Sequence, residues 1–207
     1  MRHSPANRIM ILLKTEGPQL ASSIGERLGI SGEAARQQLT KLAEGGLAEA
    51  AAEGSGGRGR PKQLWRLTSA GHRQFPDGHA DLAVDLIAKL RSELGAGAVD
   101  TLIAAREKAS LAAYAAEMQG KEMLGERVAT LAELRTREGY MAAWAPEPDG
   151  SFLLVENHCP ICAAASACQQ FCRSELDVFR RVLSASVERE EHVLHGARRC
   201  AYRITPL

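Results

Sequence analysis

The part of the sequence that most restricts the fold lies between residues 19 and 44, where a short glycine-containing break separates two amphipathic patterns. In the first pattern, Gln19 to Leu28, apolar residues recur at helical spacing, and Gly29 can end the helix in a left-handed turn. Ser31 can then cap a second helix from Gly32 to about Glu44. These residues predict two consecutive short helices joined by a tight turn.

The flanking segments extend this helix pair into a larger module. Residues 4–15 have helical spacing after a Ser-Pro start. Beyond the pair, Gly46-Leu47 leads into an expected strand, glycine and arginine dominate residues 54–62, and residues 63–67 return as a second strand. Together they predict a winged helix-turn-helix in residues 1–75, an arrangement in which one helix enters the major groove of DNA.

The second helix of the pair would carry the base-reading side chains. Its outward face includes Arg36 and Gln37, and in the major groove Arg can pair with guanine and Gln with adenine. Basic side chains in the wing tip can follow phosphates or enter a narrow minor groove. The expected DNA-contacting residues are Ser31, Glu33, Ala34, Arg36, Gln37, Thr40, Lys41, Arg58, Arg60 and Lys62.

The distribution of charge also favours a polyanionic partner. The whole chain has a net charge of only +1, but residues 1–75 contain 11 Lys or Arg against 6 Asp or Glu. Residues 76–207 contain 15 against 19. The positive excess is therefore local, and its expected partner is double-stranded DNA; a solvated basic loop is the alternative interpretation of the wing.

No run approaches the roughly 18 to 20 apolar residues of a membrane span, and the start lacks the apolar core of a secretory signal. We therefore expect a cytoplasmic protein without a membrane partner.

The cysteines lie in one part of the sequence. Disulfides are rare in the cytoplasm, and all five cysteines lie between Cys159 and Cys200. Ligation or redox chemistry is therefore their expected role.

Residues 76–138 are expected to form a helical linker. Apolar residues recur at helical spacing over 77–94, 99–118 and 122–137. Such helices commonly pack on a partner subunit, and dimers match palindromic half-sites, so we expect a homodimer on a palindromic operator. An intramolecular helical bundle is the alternative.

Residues 139–207 are expected to form a small α+β domain that contains every cysteine. Its start predicts a β-hairpin around a Pro- and Gly-containing turn. A helix should carry Cys168 and Cys172 on one face, and a second hairpin should return Cys200 to this group. Because the chain is 45% hydrophobic and only 4% aromatic, we expect a mainly α protein with small β elements.

Sequence motifs in the N-terminal module resemble those of known regulators. The run from Gly59-Arg60-Pro61 to Trp65-Arg66-Leu67-Thr68, followed by Ala70-Gly71 and Phe75-Pro76, resembles the wing and exit helix of ArsR-like and MarR-like winged-helix regulators. Among these regulators the sequence resembles the SufR-like iron–sulfur transcriptional regulators, and the resemblance covers nearly the whole chain. The resemblance implies a transcriptional repressor and no enzymatic activity.

The cysteines select this branch. Cys159 and Cys172 are thirteen positions apart, and with Cys200 they resemble the three cysteine ligands of the SufR-like family, within Asn157-His158-Cys159-Pro160 and Arg198-Arg199-Cys200-Ala201-Tyr202-Arg203. The resemblance implies an iron–sulfur cluster of the [4Fe–4S] type that controls operator affinity. The fourth ligand remains open between Cys162, Cys168, His158 and His192.

Other roles for the same cysteines remain open. Zinc also accepts thiolate ligands, so a structural or sensory zinc site in a winged-helix regulator is one alternative. Cys159 and Cys162 form a Cys-x-x-Cys motif, so a thiol oxidoreductase is another, although the surroundings lack the βαβ pattern that would support it. Burial of the thiols as small apolar side chains is the third.

Overall fold

The computed structural model describes residues 4–52 and 63–207. The chain divides into two compact units, Met1–Asp77 and Gly78–Leu207, each with its own hydrophobic core. The expected DNA contacts Arg58, Arg60 and Lys62 lie outside the described residues. Within the described ranges, no helix is long and apolar enough to cross a membrane.

The N-terminal unit packs helices against a small antiparallel sheet with the strand order β1-β3-β2. Its elements are α1 (Pro5–Glu16), β1 (Gln19–Leu20), α2 (Ala21–Leu28), α3 (Gly32–Glu44), β2 (Ala48–Ala52), β3 (Gln63–Leu67) and α4 (Ser69–His72). This order of helices and strands is that of a winged helix-turn-helix, with α2 and α3 as the helix pair and β2 and β3 as the base of the wing. The sequence prediction of this arrangement is confirmed.

Local signals start and end these helices as predicted. The Ser4 hydroxyl accepts a hydrogen bond from the Asn7 backbone N–H at 3.3 Å at the start of α1. Gly29 ends α2 with a φ of +68°, the left-handed conformation that glycine adopts without strain. The Ser31 hydroxyl accepts from the Ala34 N–H at 3.1 Å and caps α3.

The start of α2 differs from its predicted position. The sequence pattern extends α2 to Gln19, but Gln19 and Leu20 form β1 and pair with Trp65 and Leu64 of β3. The pairing satisfies backbone groups that the first turn of a helix would leave without partners. Behind the sheet lies a core that includes Ile9, Leu13, Ile24, Leu39, Trp65 and Leu67.

The C-terminal unit packs helices on an antiparallel sheet with the strand order β4-β5-β7-β6. Its helices are α5 (His79–Leu94), α6 (Ala96–Glu117), α7 (Leu124–Arg137), α8 (Cys162–Ala167) and α9 (Gln170–Leu183). Its strands are β4 (Ala142–Pro146), β5 (Phe152–Glu156), β6 (Ala185–Glu191) and β7 (Cys200–Pro206), with a 3-10 turn at Val193–His195. Both predicted hairpins are present, and the fold is mainly α with small β elements.

The helices that follow the wing are not separate from the cysteine-containing part. Tyr114 of α6 and Leu131 of α7 share one core with Leu154, Phe179 and Tyr202 from the sheet and α9. The predicted boundary between residues 76–138 and 139–207 therefore does not divide compact units. The physical reason is that the apolar faces of α6 and α7 are buried against the sheet and α9. Helical periodicity in the sequence shows that a helix has an apolar face but not which element covers it.

The predicted helix through Cys168 and Cys172 is interrupted. Cys168 has an extended backbone, with φ −150° and ψ 99°, and ends α8, whereas α9 begins at Gln170. The prediction that Cys168 shares a helix face with Cys172 is therefore wrong. Cys168 packs instead with Val99 and Ile103 of α6, and burial of this thiol against apolar side chains accompanies the break.

Candidate functional site

The surface of α3 is the first candidate site. Arg36, Gln37 and Lys41 are exposed, and the opposite face of the helix is buried in the core through Ala35, Leu39 and Leu42. The Gln37 side chain makes no hydrogen bond to any residue in the described ranges, so its amide donors and acceptor face solvent. This surface has the donors and the acceptor that pair with base edges in a major groove.

The other predicted α3 contacts have additional structural roles. The Ser31 hydroxyl accepts the α3 capping bond, and Thr40 is exposed but donates its hydroxyl hydrogen to the Arg36 carbonyl at 3.0 Å. Ala34 is only half-buried at the start of the helix, so its outward placement is partial. The Ser31 and Thr40 hydroxyls are therefore engaged within α3 and its cap, and Ala34 adds no hydrogen-bonding side chain.

Glu33 holds Arg36 in a defined position. The Arg36 Nε donates to Glu33 Oε2 at 3.1 Å, and Nη2 donates to Oε1 at 3.3 Å. Both side chains are 60% exposed, so the pair adds little to stability. Its effect is geometric, because a guanidinium held at two points presents its remaining N–H groups in a fixed direction.

Ion pairs reduce the positive charge that the rest of the N-terminal unit offers. Arg27 pairs with Glu16, and Arg66 of β3 pairs with Glu49 of β2, both at 2.8 Å. Residues 4–52 and 63–75 contain seven Lys or Arg against five Asp or Glu. Most of the excess charge of residues 1–75 therefore belongs to the residues outside the described ranges, including Arg58, Arg60 and Lys62.

Two glycines set how closely α2 and α3 approach, a feature that sequence reasoning missed. A Cβ atom at Gly25 would lie 2.9 Å from both the Gly32 nitrogen and the Ile30 carbonyl oxygen. A Cβ at Gly32 would lie 3.2 Å from the Ser22 Cα. Only residues without a Cβ permit this backbone contact, and it fixes the direction of α3.

The second candidate site is a group of cysteines at one end of the C-terminal unit. Cys159 follows β5, Cys162 begins α8, Cys172 lies in the first turn of α9, and Cys200 begins β7. Burial, with smaller contributions from the Cys162 and Cys200 thiols, raises the pKa of Cys159 to about 12. These four segments therefore bring four of the five thiols within electrostatic range; we call them the cysteine group.

The environment of the cysteine group contains charges of both signs. Burial raises the pKa of Cys172 to about 11, while Arg189 lowers it and Glu175, Cys200 and Cys162 raise it. Burial also raises the pKa of the Cys200 thiol. All five cysteines of the chain are free thiols, so none is committed to a disulfide.

The donor set has the chemistry of a thiolate site but not the spacing of a single-ion site. Within residues 4–52 and 63–207, no group of three or more Cys, His, Asp or Glu side chains could hold a metal ion as it stands. Thiolates are ligands for both zinc and iron–sulfur clusters. The residues present therefore fit such a group in chemistry, and the side chains would have to converge on it.

The two candidate histidines differ in position. His192 is half-buried beside the cysteine group, with its ring centroid 4.5 Å from that of His195, and burial lowers its pKa, as does the nearby Arg189. His158 has an exposed side chain, and its backbone N–H donates to the Tyr140 carbonyl at 3.0 Å. Arg189 and Glu175, which act on the Cys172 thiol, also act on His192.

A buried charge network lies next to the cysteine group. Arg135 is 2% exposed, and its guanidinium donates to Glu156 at 2.6 Å and to Glu175 at 2.9 Å. Its carbon atom Cζ stacks 3.4 Å above the Tyr140 ring centroid, and the Tyr140 hydroxyl donates to Glu175 at 2.6 Å. Because Glu175 also raises the pKa values of Cys159 and Cys172, the network and the thiols are electrostatically connected.

Sequence reasoning missed these charged residues, although a signal for them was present. Arg135 occupies an inward position of α7, at helical spacing from Val128, Leu131 and Ala132. Arg189 follows Ala185 and Val187 at alternate positions of β6 and so lies on their face of the sheet. A charge at an apolar position of a periodic pattern indicates a buried polar network.

Comparison with known proteins gives weak similarities. No protein-family model and no curated protein matches the chain. NMB1585, a MarR family regulator from Neisseria meningitidis, matches 52% of this chain and 73% of its own with 22% identity and a TM-score of 0.30. PadR from Bacillus subtilis in complex with operator DNA matches 65% of this chain and 92% of its own with 15% identity and a TM-score of 0.28.

At these TM-scores neither match assigns a fold or a family to this chain. The winged helix-turn-helix arrangement is established by the chain's own elements and pairing. The thiols of Cys159, Cys172 and Cys200, the predicted iron–sulfur ligands, interact electrostatically with that of Cys162, while Cys168 packs with Val99 and Ile103. Cluster binding therefore remains a prediction.

Proposed function

We propose that this chain is a transcription regulator that binds operator DNA through the N-terminal unit and adjusts its affinity through an iron–sulfur cluster in the C-terminal unit. The observation that carries the first part is the exposed surface of α3 in a winged helix-turn-helix. The grouping of four thiols from separate segments supports the second part. DNA binding and cluster binding are tested by separate experiments, so one of the two proposals can be contradicted while the other holds.

The side chains exposed on α3 support the proposed DNA binding. Gln37 and the Glu33-anchored Arg36 offer hydrogen-bonding groups suited to bases, and Lys41, in the last turn, offers a charge suited to phosphate. The wing tip, with Arg58 and Arg60, would add sequence-independent phosphate contacts.

Substitutions on α3 separate these roles. Binding is measured to duplexes selected from a random-sequence pool and to unselected duplexes at several salt concentrations. Gln37→Ala should reduce preference for selected duplexes by about 1–3 kcal/mol, because a base contact is lost. Lys41→Ala, like Arg60→Ala in the wing, should weaken binding to both pools equally and reduce the salt slope by about 1.

Gln74→Ala is the matched control, because Gln74 is an exposed glutamine of the same unit outside α3. It should leave affinity, preference and salt slope unchanged. If the wild-type chain selects no duplex, or if the α3 variants behave like the control, the DNA-binding proposal is wrong.

For the cluster, we propose Cys159, Cys172 and Cys200 as ligands with Cys162 as the fourth. Cys162 lies in the cysteine group, whereas Cys168 packs with Val99 and Ile103. A tetrahedral zinc site has Zn–S distances of about 2.3 Å and so needs sulfurs about 4 Å apart. We propose a cluster rather than a single ion because no group of three or more donors within residues 4–52 and 63–207 could hold one ion as it stands.

Iron and sulfide analysis after anaerobic purification distinguishes the candidates. Brown protein absorbing near about 400 nm indicates thiolate-to-iron charge transfer. Cys162→Ala should lose this absorption, while Cys168→Ala should keep it. Colourless protein with one zinc per chain would show that the site binds zinc and not a cluster. An unchanged spectrum in Cys162→Ala would show that Cys162 is not a ligand.

The thiol oxidoreductase alternative is disfavoured by the environment of the Cys-x-x-Cys motif. Burial raises the pKa of Cys159 to about 12, which leaves little nucleophilic thiolate near neutral pH. Turnover of a dithiol substrate that is lost in Cys162→Ser would revive this alternative.

Control of DNA binding requires that the cluster favour one arrangement of the protein over another. Affinity for the selected duplex is therefore compared between cluster-loaded and cluster-free protein. We expect the two affinities to differ, and equal affinities would remove the regulatory role while leaving the DNA-binding role intact.

We also propose that the chain acts as a homodimer on a palindromic operator. Leu82 and Leu86 of α5 are 55% and 52% exposed and lie one turn apart. Asp85 and Lys89 flank Leu86, so two antiparallel copies of α5 would place opposite charges together. Sedimentation should show a dimer that Leu86→Glu dissociates, and a wild-type monomer would contradict the proposal.

A further inference from the structure

Arg189, beside the cysteine group, has an incomplete set of hydrogen bonds. Its Nη2 donates to the Cys172 carbonyl at 2.7 Å, and its Cζ lies 5.2 Å from the Tyr202 ring centroid. Its Nε is buried and has no hydrogen-bond partner within residues 4–52 and 63–207. A buried donor without an acceptor is costly, so this N–H requires an acceptor at the site.

The backbone holds Arg189 at this position from two sides. β6 pairs with β7 through Arg189 opposite Tyr202, and the register then shifts between Arg189 and Glu191. A β-bulge of this kind re-aims side chains and is common next to functional sites. The guanidinium is therefore fixed by the strand at one end and by the start of α9 at the other.

No carboxylate neutralises the charge of Arg189 within the described residues, and the ionisable groups that interact with it include Tyr202, Cys172 and Cys200. Arg135 is paired with Glu156 and Glu175, whereas Arg189 forms no ion pair within the described residues. Glu175 and His192 also face this region, and the Arg189 charge lowers the pKa values of both Cys172 and His192.

We propose that Arg189 is a positioning and charge-compensating residue of the cluster site, whose Nε–H donates to a sulfur atom there. The inference rests on the proposed cluster site and adds a residue that the cysteine pattern does not contain. Arg189 is not a ligand in this role. It supplies a hydrogen bond to sulfur and a positive charge beside a group of thiolates.

This role has a measurable consequence for reduction. Hydrogen bonds to sulfur and nearby charge are among the factors that set the potentials of iron–sulfur clusters. Reduction adds a negative charge, and a neighbouring cation stabilises the reduced form more than the oxidised form. Arg189 should therefore raise the reduction potential and help retain the cluster.

The test uses the full chain reconstituted anaerobically with ferrous iron and sulfide. The midpoint potential and the rate of iron loss to a chelator are measured for wild type, Arg189→Gln and Arg189→Lys. Arg189→Gln should lower the midpoint potential by about 59 mV, which is a tenfold shift of the reduced-to-oxidised ratio toward the oxidised form for a one-electron couple. It should also weaken retention of the cluster about 10- to 100-fold. Arg189→Lys should recover part of the potential because it keeps the charge.

Arg180→Gln is the matched control. The Arg180 Nε donates to the Val187 carbonyl at 3.1 Å, so this variant also removes an arginine bond between α9 and β6. It should leave the potential unchanged. If Arg180→Gln shifts the potential as much as Arg189→Gln does, the proposed role of Arg189 is wrong. It is also wrong if neither Arg189→Gln nor Arg189→Lys shifts the potential, and in both cases the proposed cluster site is unaffected. A wild-type chain that takes up no cluster overturns the proposed site itself.

Discussion

The guanidinium group of Arg135 lies in the core of the C-terminal unit with carboxylates around it. It contacts Glu156, which is 3% exposed, as well as Glu175 and Glu138, and the Tyr114 hydroxyl completes its partners at 3.2 Å. Burial of one charge is tolerated here only because the opposite charges are in place. Removal of the arginine would leave Glu156 buried without its cation.

Replacement of Arg135 should therefore strongly destabilise the chain. We expect Arg135→Met to lower the free energy of unfolding by about 3–5 kcal/mol, measured by urea denaturation, because uncompensated carboxylates remain buried. Arg137→Met is the control, since its 3.4 Å pair with Glu117 is exposed and should cost at most about 1 kcal/mol. Similar losses in the two variants would contradict this account of the network.

The tyrosines provide a second test at the scale of single residues. All three are buried, and burial raises the pKa of Tyr114 to about 12 and raises the pKa values of Tyr140 and Tyr202 as well. The folded chain thus holds these protons more tightly than the unfolded chain. The free energy of unfolding should fall as the pH rises from about 10, the unfolded pKa, toward about 12.

Ultraviolet absorbance of tyrosinate measures this effect. In urea all three tyrosines should ionise near pH 10. In the folded chain ionisation should begin well above that pH, and Tyr114→Phe should remove one of the delayed steps. A tyrosine that ionises near pH 10 in the folded chain would show that its side chain is exposed to solvent and not buried.

At the scale of elements, the contact between α2 and α3 decides how the proposed DNA-binding surface of α3 is presented. Gly25 brings the α2 backbone against Ile30 and Gly32. Gly25→Ala should cost about 1–3 kcal/mol, because the added methyl meets backbone atoms that cannot rotate away. It should also weaken DNA binding by turning α3, although no DNA-facing side chain changes.

Gly97→Ala on α6 is the control for this prediction. A Cβ atom added at Gly97 would have no heavy atom of the described residues within 4 Å, so the alanine should leave stability unchanged or raise it by up to about 1 kcal/mol. Urea denaturation followed by tryptophan fluorescence compares the two variants. Equal stability of Gly25→Ala and wild type would mean that the helices can separate without loss.

At the scale of the whole molecule, each unit has a core of its own. The core of Met1–Asp77 draws on helices and strands of that unit, including Ile9 and Trp65. We therefore expect a fragment of residues 1–77 to fold without the rest of the chain. Cooperative thermal unfolding with loss of Trp65 fluorescence would confirm this, and a fragment without a cooperative transition would contradict it.

The sequence by itself determined the local elements of this protein. Hydrophobic periodicity, the Ser31 cap and the Gly29 turn predicted α3 with its observed bounds, and the turn signals around residues 46–62 predicted both strands of the wing base. These features are local because caps and periodic faces depend on residues a few positions apart. The exposed face of α3 followed directly from them.

Only the tertiary structure decided which distant residues meet. It separated Cys168 from the cysteine group, placed Arg189 and the Arg135 network beside the remaining thiols, and joined α6 and α7 to the sheet. These outcomes depend on packing between segments far apart in the chain, where side-chain volume and pairing of buried charge select one arrangement. A linear pattern contains the residue types but not their contacts.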